Sequence, residues 1–217
     1  MKGDLHIHSS FSNDGKSTVE EIVNNAKRMG LGCIAIADHN DFRSYDIASK
    51  QDQIIAVPAE EVSSSEGHIL AYGISCEIPR GRSVLETIDM IHDAGGIAVA
   101  AHPYRWWSGL GEENVVSAFD AVETFNARST EGSNDKAVKL AESMNKPMTA
   151  GSDAHHVSHI GNAYMEFSDG ITDWEGVVKA ILNKDAVIGG KHRTRADTVK
   201  YGYKSITEWI GRGFRKM

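Results

Sequence analysis

Residues 1–15, MKGDLHIHSSFSNDG, contain the pattern that decides the fold. Apolar and polar residues alternate across 4–8, which is typical of a β-strand, and side chains two positions apart on a strand point to the same face. His6 and His8 therefore project together. Because imidazole is a common metal ligand, two such rings side by side favour a cation site. The stretch predicts a first strand that carries part of a metal site.

Strands and helices alternate along the following residues. A helix is predicted over 17–30 with Ser17 or Thr18 as its N-cap. Residues 53–64 are predicted to form one strand, which pairs as a hairpin with the strand predicted over 68–74. This alternation is typical of an α/β fold with a mostly parallel sheet, either open or closed into a barrel.

Polar residues fall at the ends of the predicted strands. The loops at the carboxyl ends of parallel strands build the active sites of α/β folds. An open sheet would spread these ends along a line, whereas a closed barrel brings them into one ring, so the distribution favours a barrel. The candidates are His6, His8, Asp38, His39, Glu60, Glu61, His102, Glu123, Asp153 and His155.

Four motifs resemble those of the polymerase-and-histidinol-phosphatase (PHP) superfamily of metal-dependent phosphoesterases. They are DLHIHS at 4–9, ADHN at 37–40, AAHP at 100–103 and GSDAH at 151–155, in the order of the family, with Glu60 between the second and the third. The resemblance implies a single-domain distorted (β/α)7 barrel with two or three metal ions at the strand ends.

The resemblance also implies a set of metal ligands. A first ion would take His6, His8, Glu60 and Asp153, and Glu60 would bridge to a second ion that also binds His68 and His102. A third ion would take Asp14, His39 and His155. Some relatives have a histidine at the position of Asp14. An aspartate at this position resembles the subgroup that acts on small nucleotide-type phosphates. Ligands of this kind suit Zn, Mn or Fe.

The neighbouring polar residues have more ordinary interpretations. Asp4, Asp38 and Glu61 are expected to support the ligands through hydrogen bonds, since metal-bound histidines usually have such partners. Glu123 is expected at the rim of the site. His68, taken by itself, is as well explained as a buried core histidine.

Metal ions held by Glu60 and Asp153 would activate a water for attack on phosphorus. Arg105, three residues after His102, is expected to bind the phosphate through two parallel hydrogen bonds. Trp106 is expected to stack on a nucleobase. The alternatives are a surface arginine that stacks on Trp106 or Trp107, and a tryptophan that packs beneath the loop.

The favoured function is a phosphoesterase that acts on a small phosphorylated metabolite or nucleotide. A non-catalytic metal- or phosphate-binding module is an alternative, and so is an exonuclease on short oligonucleotides. No glycine-rich phosphate loop of the GxGxxG or GxxxxGK type occurs, which argues against nucleotide-binding folds of those classes.

Composition and charge bound these expectations. The 217 residues are 41% hydrophobic and carry a net charge of −7. Residues 191–217 alone carry a net +6, which leaves −13 for residues 1–190 and suits a protein that binds cations. We expect one domain over 1–190, with the basic segment 191–217 packed on it, in a soluble cytoplasmic protein without a membrane span.

Overall fold

The computed structural model describes residues 1–106 and 108–192. In these residues ten strands and five helices alternate. The strands are β1 (Lys2–Ile7), β2 (Leu31–Ile36), β3 (Ile55–Val57), β4 (Ala59–Ser63), β5 (His68–Tyr72), β6 (Ile97–Ala100), β7 (Ala121–Asn126), β8 (Met148–Gly151), β9 (Ala163–Phe167) and β10 (Ala186–Gly190). The helices are α1 (Val19–Arg28), α2 (Arg43–Ala48), α3 (Val84–Asp93), α4 (Glu131–Ser143) and α5 (Trp174–Leu182).

The strands form two mixed sheets of five strands each. The first has the order β10-β9-β1-β2-β3, in which β9 runs antiparallel to both of its neighbours. The second has the order β4-β5-β6-β7-β8, antiparallel from β4 to β6 and parallel from β6 to β8. The α/β class is confirmed, but the described strands do not close into the expected (β/α)7 barrel.

Pro58 explains part of this difference. The single strand predicted over 53–64 breaks at Pro58 into β3 and β4, which lie in different sheets. Proline has no N–H to donate to a strand ladder, so a central strand does not continue through it. The predicted hairpin of β4 and β5 is confirmed. The sequence interpretation lacks β9, which adds an antiparallel pair at the edge of the first sheet.

Backbone hydrogen bonds join the two sheets beyond the ends of their strands. The N–H of Asp153, after β8, donates to the carbonyl of His6 at 2.7 Å. The N–H of Glu61, in β4, donates to the carbonyl of Asp38, after β2, at 3.1 Å. Strand ends from both sheets therefore meet at one edge of the molecule, which is the edge where the candidate ligands lie.

Helices α1 and α2 pack against the first sheet, and α3 and α4 pack against the second. Apolar side chains such as Leu5, Val99 and Ala150 form a further cluster, to which α5 also contributes. Helix α1 begins at the predicted cap. The side chain of Thr18 accepts from the N–H of Glu21 at 3.2 Å, and the carboxylate of Glu21 accepts from the N–H of Thr18 at 2.9 Å. A cap of this kind stabilises a helix by about 1 kcal/mol.

Residues 193–217 lie outside the described residues. The expected packing of the basic segment 191–217 on the domain therefore stays a prediction. Within residues 1–106 and 108–192, none of the helices combines the length and the apolar character that crossing a bilayer requires.

Candidate metal centre

Polar side chains from both sheets meet at the edge where the strand ends come together. Residues from β1, β4 and the start of β5 contribute, as do the loops after β2, β6 and β8, and two residues between β1 and α1. Because β5 runs against its neighbours, its first residue lies at this edge. These side chains are at most 20% exposed. They are His6, His8, Asp14, His39, Glu61, His68, His102, Asp153 and His155.

The carboxylate of Glu61 lies at the centre of this group. Ring nitrogens of five histidines lie within 3.4 Å of its two oxygens: His6 at 3.4 Å, His8 at 3.2 Å, His39 at 3.0 Å, His68 at 2.9 Å and His102 at 2.8 Å. One carboxylate needs far fewer partners for a structural hydrogen bond. An acid surrounded by imidazoles in this way has the arrangement of a ligand shared between cations.

Glu60, the expected bridging ligand, is directed away from this group. Adjacent residues of a strand face opposite sides, so Glu60 and Glu61 cannot both face the histidines. Oε2 of Glu60 accepts a hydrogen bond from the N–H of Ile78 at 2.9 Å. Burial raises the pKa of the Glu60 carboxyl to about 8. The structure therefore corrects the expected position of Glu60, because Glu61 and not Glu60 lies among the histidines.

The register of the β4–β5 hairpin contains the signal that separates the two glutamates. Ser63 pairs with His68, and Glu61 pairs with Leu70, two residues further on. Glu61 therefore shares its face of the hairpin with His68, a predicted ligand, while Glu60 pairs with Ala71 on the other face. The sequence predicts the hairpin but not its register, because the loop between the strands has no turn signature specific enough to set it.

Glu123 lies behind His6. Its Oε1 is 2.8 Å from Nδ1 of His6, and its Oε2 accepts from the N–H of His102 at 2.9 Å. The expected position at the rim is wrong, since Glu123 is 1% exposed. Because Oε1 of Glu123 can only accept, the proton of His6 is assigned to Nδ1, and Nε2 faces the carboxylate of Glu61.

His8 has a similar support that runs through a serine. Nδ1 of His8 lies 3.1 Å from Oγ of Ser12, which donates to Asp38 at 2.7 Å. Asp38 also accepts from the N–H and hydroxyl of Ser9. Asp38 therefore orients the imidazole through Ser12 rather than by direct contact. As in His6, the proton is assigned to Nδ1, so that Nε2 faces the centre.

Asp14, His39 and His155 form the part of the group nearest the solvent. Asp14 lies 2.9 Å from Nε2 of His155 and 3.8 Å from Nε2 of His39. The ring of His8 lies between the two histidines, with centroid distances of 4.4 Å to His39 and 4.2 Å to His155. The residues that the sequence grouped around a third ion thus lie together.

Asp153 is held by two arginines and an amide. Nη2 of Arg105 donates to its Oδ2 at 2.5 Å, and Nη1 of Arg128 donates to its Oδ1 at 2.9 Å. Nδ2 of Asn126 donates to Oδ2 at 3.1 Å. The sequence interpretation includes Arg105 but lacks Arg128 and Asn126. Their only sequence signal is a position at the end of β7, beside the predicted Glu123.

Burial and charge determine the protonation of the group. Burial raises the pKa of Glu61, but the surrounding histidines outweigh it and hold this pKa well below its usual range. Burial lowers the pKa of His39 to about 3 and the pKa values of His102 and His155 to about 4. These three rings are neutral at pH 7, as metal ligation requires. For His6 and His8, contacts with carboxylates outweigh burial and raise the pKa, to about 9 for His8. A metal ion bound at Nε2 would displace the proton held there.

Two residues of the group have a strained backbone. His102 has φ of 28° and Asp153 has φ of 52°, both in the left-handed region that residues with a Cβ rarely adopt. Such a conformation costs on the order of 1–3 kcal/mol and persists where the surrounding structure demands it. Each residue lies two positions after the end of a strand, β6 for His102 and β8 for Asp153, and its backbone conformation directs the side chain into the site.

The donor set fits divalent metal ions. Nε2 of His6 and Nε2 of His8 lie 3.1 Å apart, a distance at which two imidazole lone pairs repel each other unless a proton or a cation lies near both. Oδ1 of Asp14 and Nδ1 of His102 are buried and have no hydrogen-bond partner among the described residues. Within residues 1–106 and 108–192, four overlapping groups have donor atoms within 4.8 Å of one another: His8–His39–His155, His6–His8–Glu61, His6–His102–Asp153 and His39–Glu61–His68.

The loop after β6 carries the residues expected to bind substrate. Arg105 reaches inward to Asp153, whereas the side chain of Trp106 is 86% exposed. Backbone hydrogen bonds within the loop hold it in place, from Arg105 to His102 at 2.9 Å and from Gly109 to Arg105 at 2.9 Å. Trp106 is therefore exposed and lies one residue after a side chain that reaches into the site. Trp107 lies outside the described residues.

An α/β fold with clustered histidines and carboxylates at its strand ends has the features of a metal-binding protein. The PHP domain model matches residues 4–94, and the PHP-associated model matches residues 131–185. An uncharacterized protein of Methanocaldococcus jannaschii is 36% identical over 146 residues, which cover 61% of this chain and 85% of the relative. The chain belongs to the PHP family.

Solved structures share the fold. One is a two-domain protein of Bacteroides vulgatus that contains a predicted PHP-like metal-dependent phosphoesterase, with a TM-score of 0.75, 18% identity, and coverage of 94% of this chain and 69% of that one. Another is Endonuclease Q, in complex with a 27-mer duplex that has an abasic lesion at the active site. Its TM-score is 0.65 at 21% identity, with coverage of 84% of this chain and 56% of that one.

Proposed function

We propose that this PHP protein is a metal-dependent phosphoesterase that hydrolyses a small phosphorylated metabolite or nucleotide. One observation carries the proposal: five histidine ring nitrogens lie within 3.4 Å of the Glu61 carboxylate at the strand ends. Family membership supports it, because the PHP model matches the residues that supply most of this group. A cytoplasmic location stays a prediction.

The proposed ligands follow the sequence expectation with one exchange. Glu61 replaces Glu60 as the carboxylate shared between two ions. His6, His8 and Asp153 would hold the first ion with it, and His68 and His102 would hold the second. Asp14, His39 and His155 would hold a third. The mixture of imidazole and carboxylate ligands suits Zn, Mn or Fe.

Bound metal ions would supply a water of lowered pKa and neutralise charge on the phosphoryl oxygens. The residues of the chain prepare this chemistry. Glu123 and Ser12 keep the protons of His6 and His8 on Nδ1, which leaves both Nε2 atoms as ligands. Burial of the group excludes bulk water, so that each charge interaction is stronger than it would be at the surface.

Arg105 is proposed to bind the phosphate. Its Nη2 contacts Asp153 and Asn126, whereas its buried Nε has no hydrogen-bond partner among the described residues. A buried N–H of a charged group without a partner is costly, and a phosphate oxygen would satisfy it. The exposed ring of Trp106, one residue further on, is proposed to stack on a base of the substrate.

The test is phosphate release from a panel of phosphorylated metabolites and nucleotides, with Mn, Zn or Fe added back to chelator-treated protein. We expect release from at least one substrate class, strictly dependent on added metal, and two to three ions per chain by elemental analysis. Protein that binds metal but releases no phosphate from any substrate would contradict the enzyme and favour the non-catalytic metal-binding module.

A nuclease acting on short oligonucleotides is the second candidate. The observation that favours it is the exposed Trp106 beside the site, because base stacking on aromatic side chains is a general mode of single-strand binding. A short 5′-labelled oligonucleotide belongs in the same panel. Cleavage of the oligonucleotide at a higher kcat/KM than that of any mononucleotide would favour this candidate.

A further inference from the structure

Asn126, the last residue of β7, has a fully buried amide that connects several parts of the site. Its Nδ2 donates to Oε2 of Glu123 and to Oδ2 of Asp153, both at 3.1 Å. Its Oδ1 accepts from Nη2 of Arg105 at 2.6 Å and from the N–H of Arg128 at 2.9 Å. The amide thus uses two donors and two acceptor positions, which is its full capacity.

This pattern determines the orientation of the amide. Two carboxylates lie on its nitrogen side and two N–H donors lie on its oxygen side, so the reversed amide would place oxygen against both carboxylates. An aspartate at this position would add a third negative charge beside Glu123 and Asp153. Among the side chains of this shape, only asparagine satisfies all four neighbours.

We infer that Asn126 is a positioning residue that holds the guanidinium of Arg105 for phosphate, an inference that rests on the proposed function. The Oδ1 of Asn126 fixes Nη2 of Arg105 with a neutral acceptor. The carboxylate of Asp153 accepts the other hydrogen of Nη2 at 2.5 Å, so Nη2 is fully engaged by these two acceptors. The Nε of Arg105, buried and without a partner among the described residues, is the donor that this orientation presents.

A purely structural role for Asn126 would run through different atoms. Its backbone N–H donates to Oδ1 of Asn134 at 3.3 Å, and its carbonyl accepts from Nδ2 of Asn134 at 3.2 Å. Asn134 lies in α4, and its side chain is buried. Asn134→Ala removes these contacts and leaves the four bonds of the Asn126 amide, so it is the matched control.

The experiment measures the Kd for inorganic phosphate by calorimetry, and kcat and KM for the best phosphomonoester, at matched metal occupancy. We expect Asn126→Ala to weaken phosphate binding and to lower kcat/KM about tenfold, mainly through KM. In the Arg105→Ala background, Asn126→Ala should cost no more than about a further twofold, since residues that act through one group are not additive. Asn134→Ala should keep wild-type kcat/KM.

Losses that multiply in the double variant would show that Asn126 acts independently of Arg105 and would overturn the inference. So would equal losses in Asn126→Ala and Asn134→Ala. If Asn126→Ala does not fold, Asn126→Ser takes its place in the same cycle, with the same expected coupling. Wild-type protein that binds phosphate but hydrolyses no ester contradicts the proposed function alone, because the binding cycle still tests the inference. Wild-type protein that binds no phosphate overturns the inference as well.

Discussion

The two faces of strand β4 carry adjacent glutamates in opposite surroundings. On the inner face, five histidines surround Glu61 and hold its pKa well below the usual range. On the outer face, Glu60 accepts a hydrogen bond from one backbone N–H, and burial raises its pKa to about 8. Two identical side chains thus differ in charge at neutral pH because of the face on which they lie. The chemistry of an acidic residue depends as much on this face as on its type.

The largest expected effect comes from replacing the glutamate on the inner face of β4 and comparing it with the same replacement on the outer face. Glu61→Gln should lose bound metal and at least about 100-fold in activity, because an amide cannot supply the shared negative charge that two cations require. Glu60→Gln, the matched control, should keep its metal content and turnover. Elemental analysis of chelator-free protein and steady-state kinetics give the result. Full metal content and normal turnover in Glu61→Gln would remove Glu61 from the site.

A substitution of Arg105 tests whether the site binds phosphate through a side chain as well as through bound metal ions. Arg105→Ala should leave the metal content unchanged and lower kcat/KM by roughly one to two orders of magnitude, the loss of a charge-assisted pair of about 1.5–3 kcal/mol. Arg105→Lys should recover part of the loss, since lysine keeps the charge but lacks the planar fork.

The control for Arg105 is Arg43→Ala, which removes an arginine paired with Asp41 at an exposed position. It should leave kcat/KM unchanged. Unchanged kcat/KM in Arg105→Ala, measured at equal metal occupancy, would show that the arginine has no part in phosphate binding.

A substitution of Glu123 tests how far the metal affinity of the site depends on residues that do not themselves bind metal. In Glu123→Gln, His6 loses the anionic acceptor at Nδ1, and metal affinity should fall about 10- to 100-fold. Asp120→Asn is the control, because Asp120 pairs with His92 at 2.8 Å at an exposed position. Chelator competition measures both affinities, and equal affinities in wild type and Glu123→Gln would contradict the supporting role.

The last test concerns the outer face of β4 and the dependence of stability on pH. The pKa of Glu60 is about 8 in the folded protein and about 4.5 as its unperturbed value, so the folded state binds the proton more tightly. The free energy of unfolding contributed by this group is greatest below pH 4.5 and falls as the pH rises through 8. Glu60→Gln stays neutral, so its Tm should exceed that of the wild type at pH 8 but not at pH 4.5. Melting curves of metal-free protein that show a pH-independent difference would contradict a buried, proton-binding Glu60.

The elements with a strong local signal were predictable. The cap at Thr18, the hairpin of β4 and β5 and the α/β class follow from patterns that neighbouring residues set by themselves. The break at Pro58 has a local signal too, but the apolar run on either side of it resembles one long strand. The absence of barrel closure and the antiparallel β9 depend on which strands pair, which no short stretch determines.

The features of the site likewise divide into those that the sequence predicted and those that depend on tertiary contacts. The motifs DLHIHS, ADHN, AAHP and GSDAH predicted the class of protein and the kinds of ligand through their resemblance to the PHP family. Tertiary contacts alone decided that Glu61 rather than Glu60 faces the histidines, that Glu123 is buried behind His6, and that Arg128 and Asn126 reach Asp153. The physical reason is that a side chain's face depends on strand register, and its partners depend on hydrogen bonds between segments far apart in the chain.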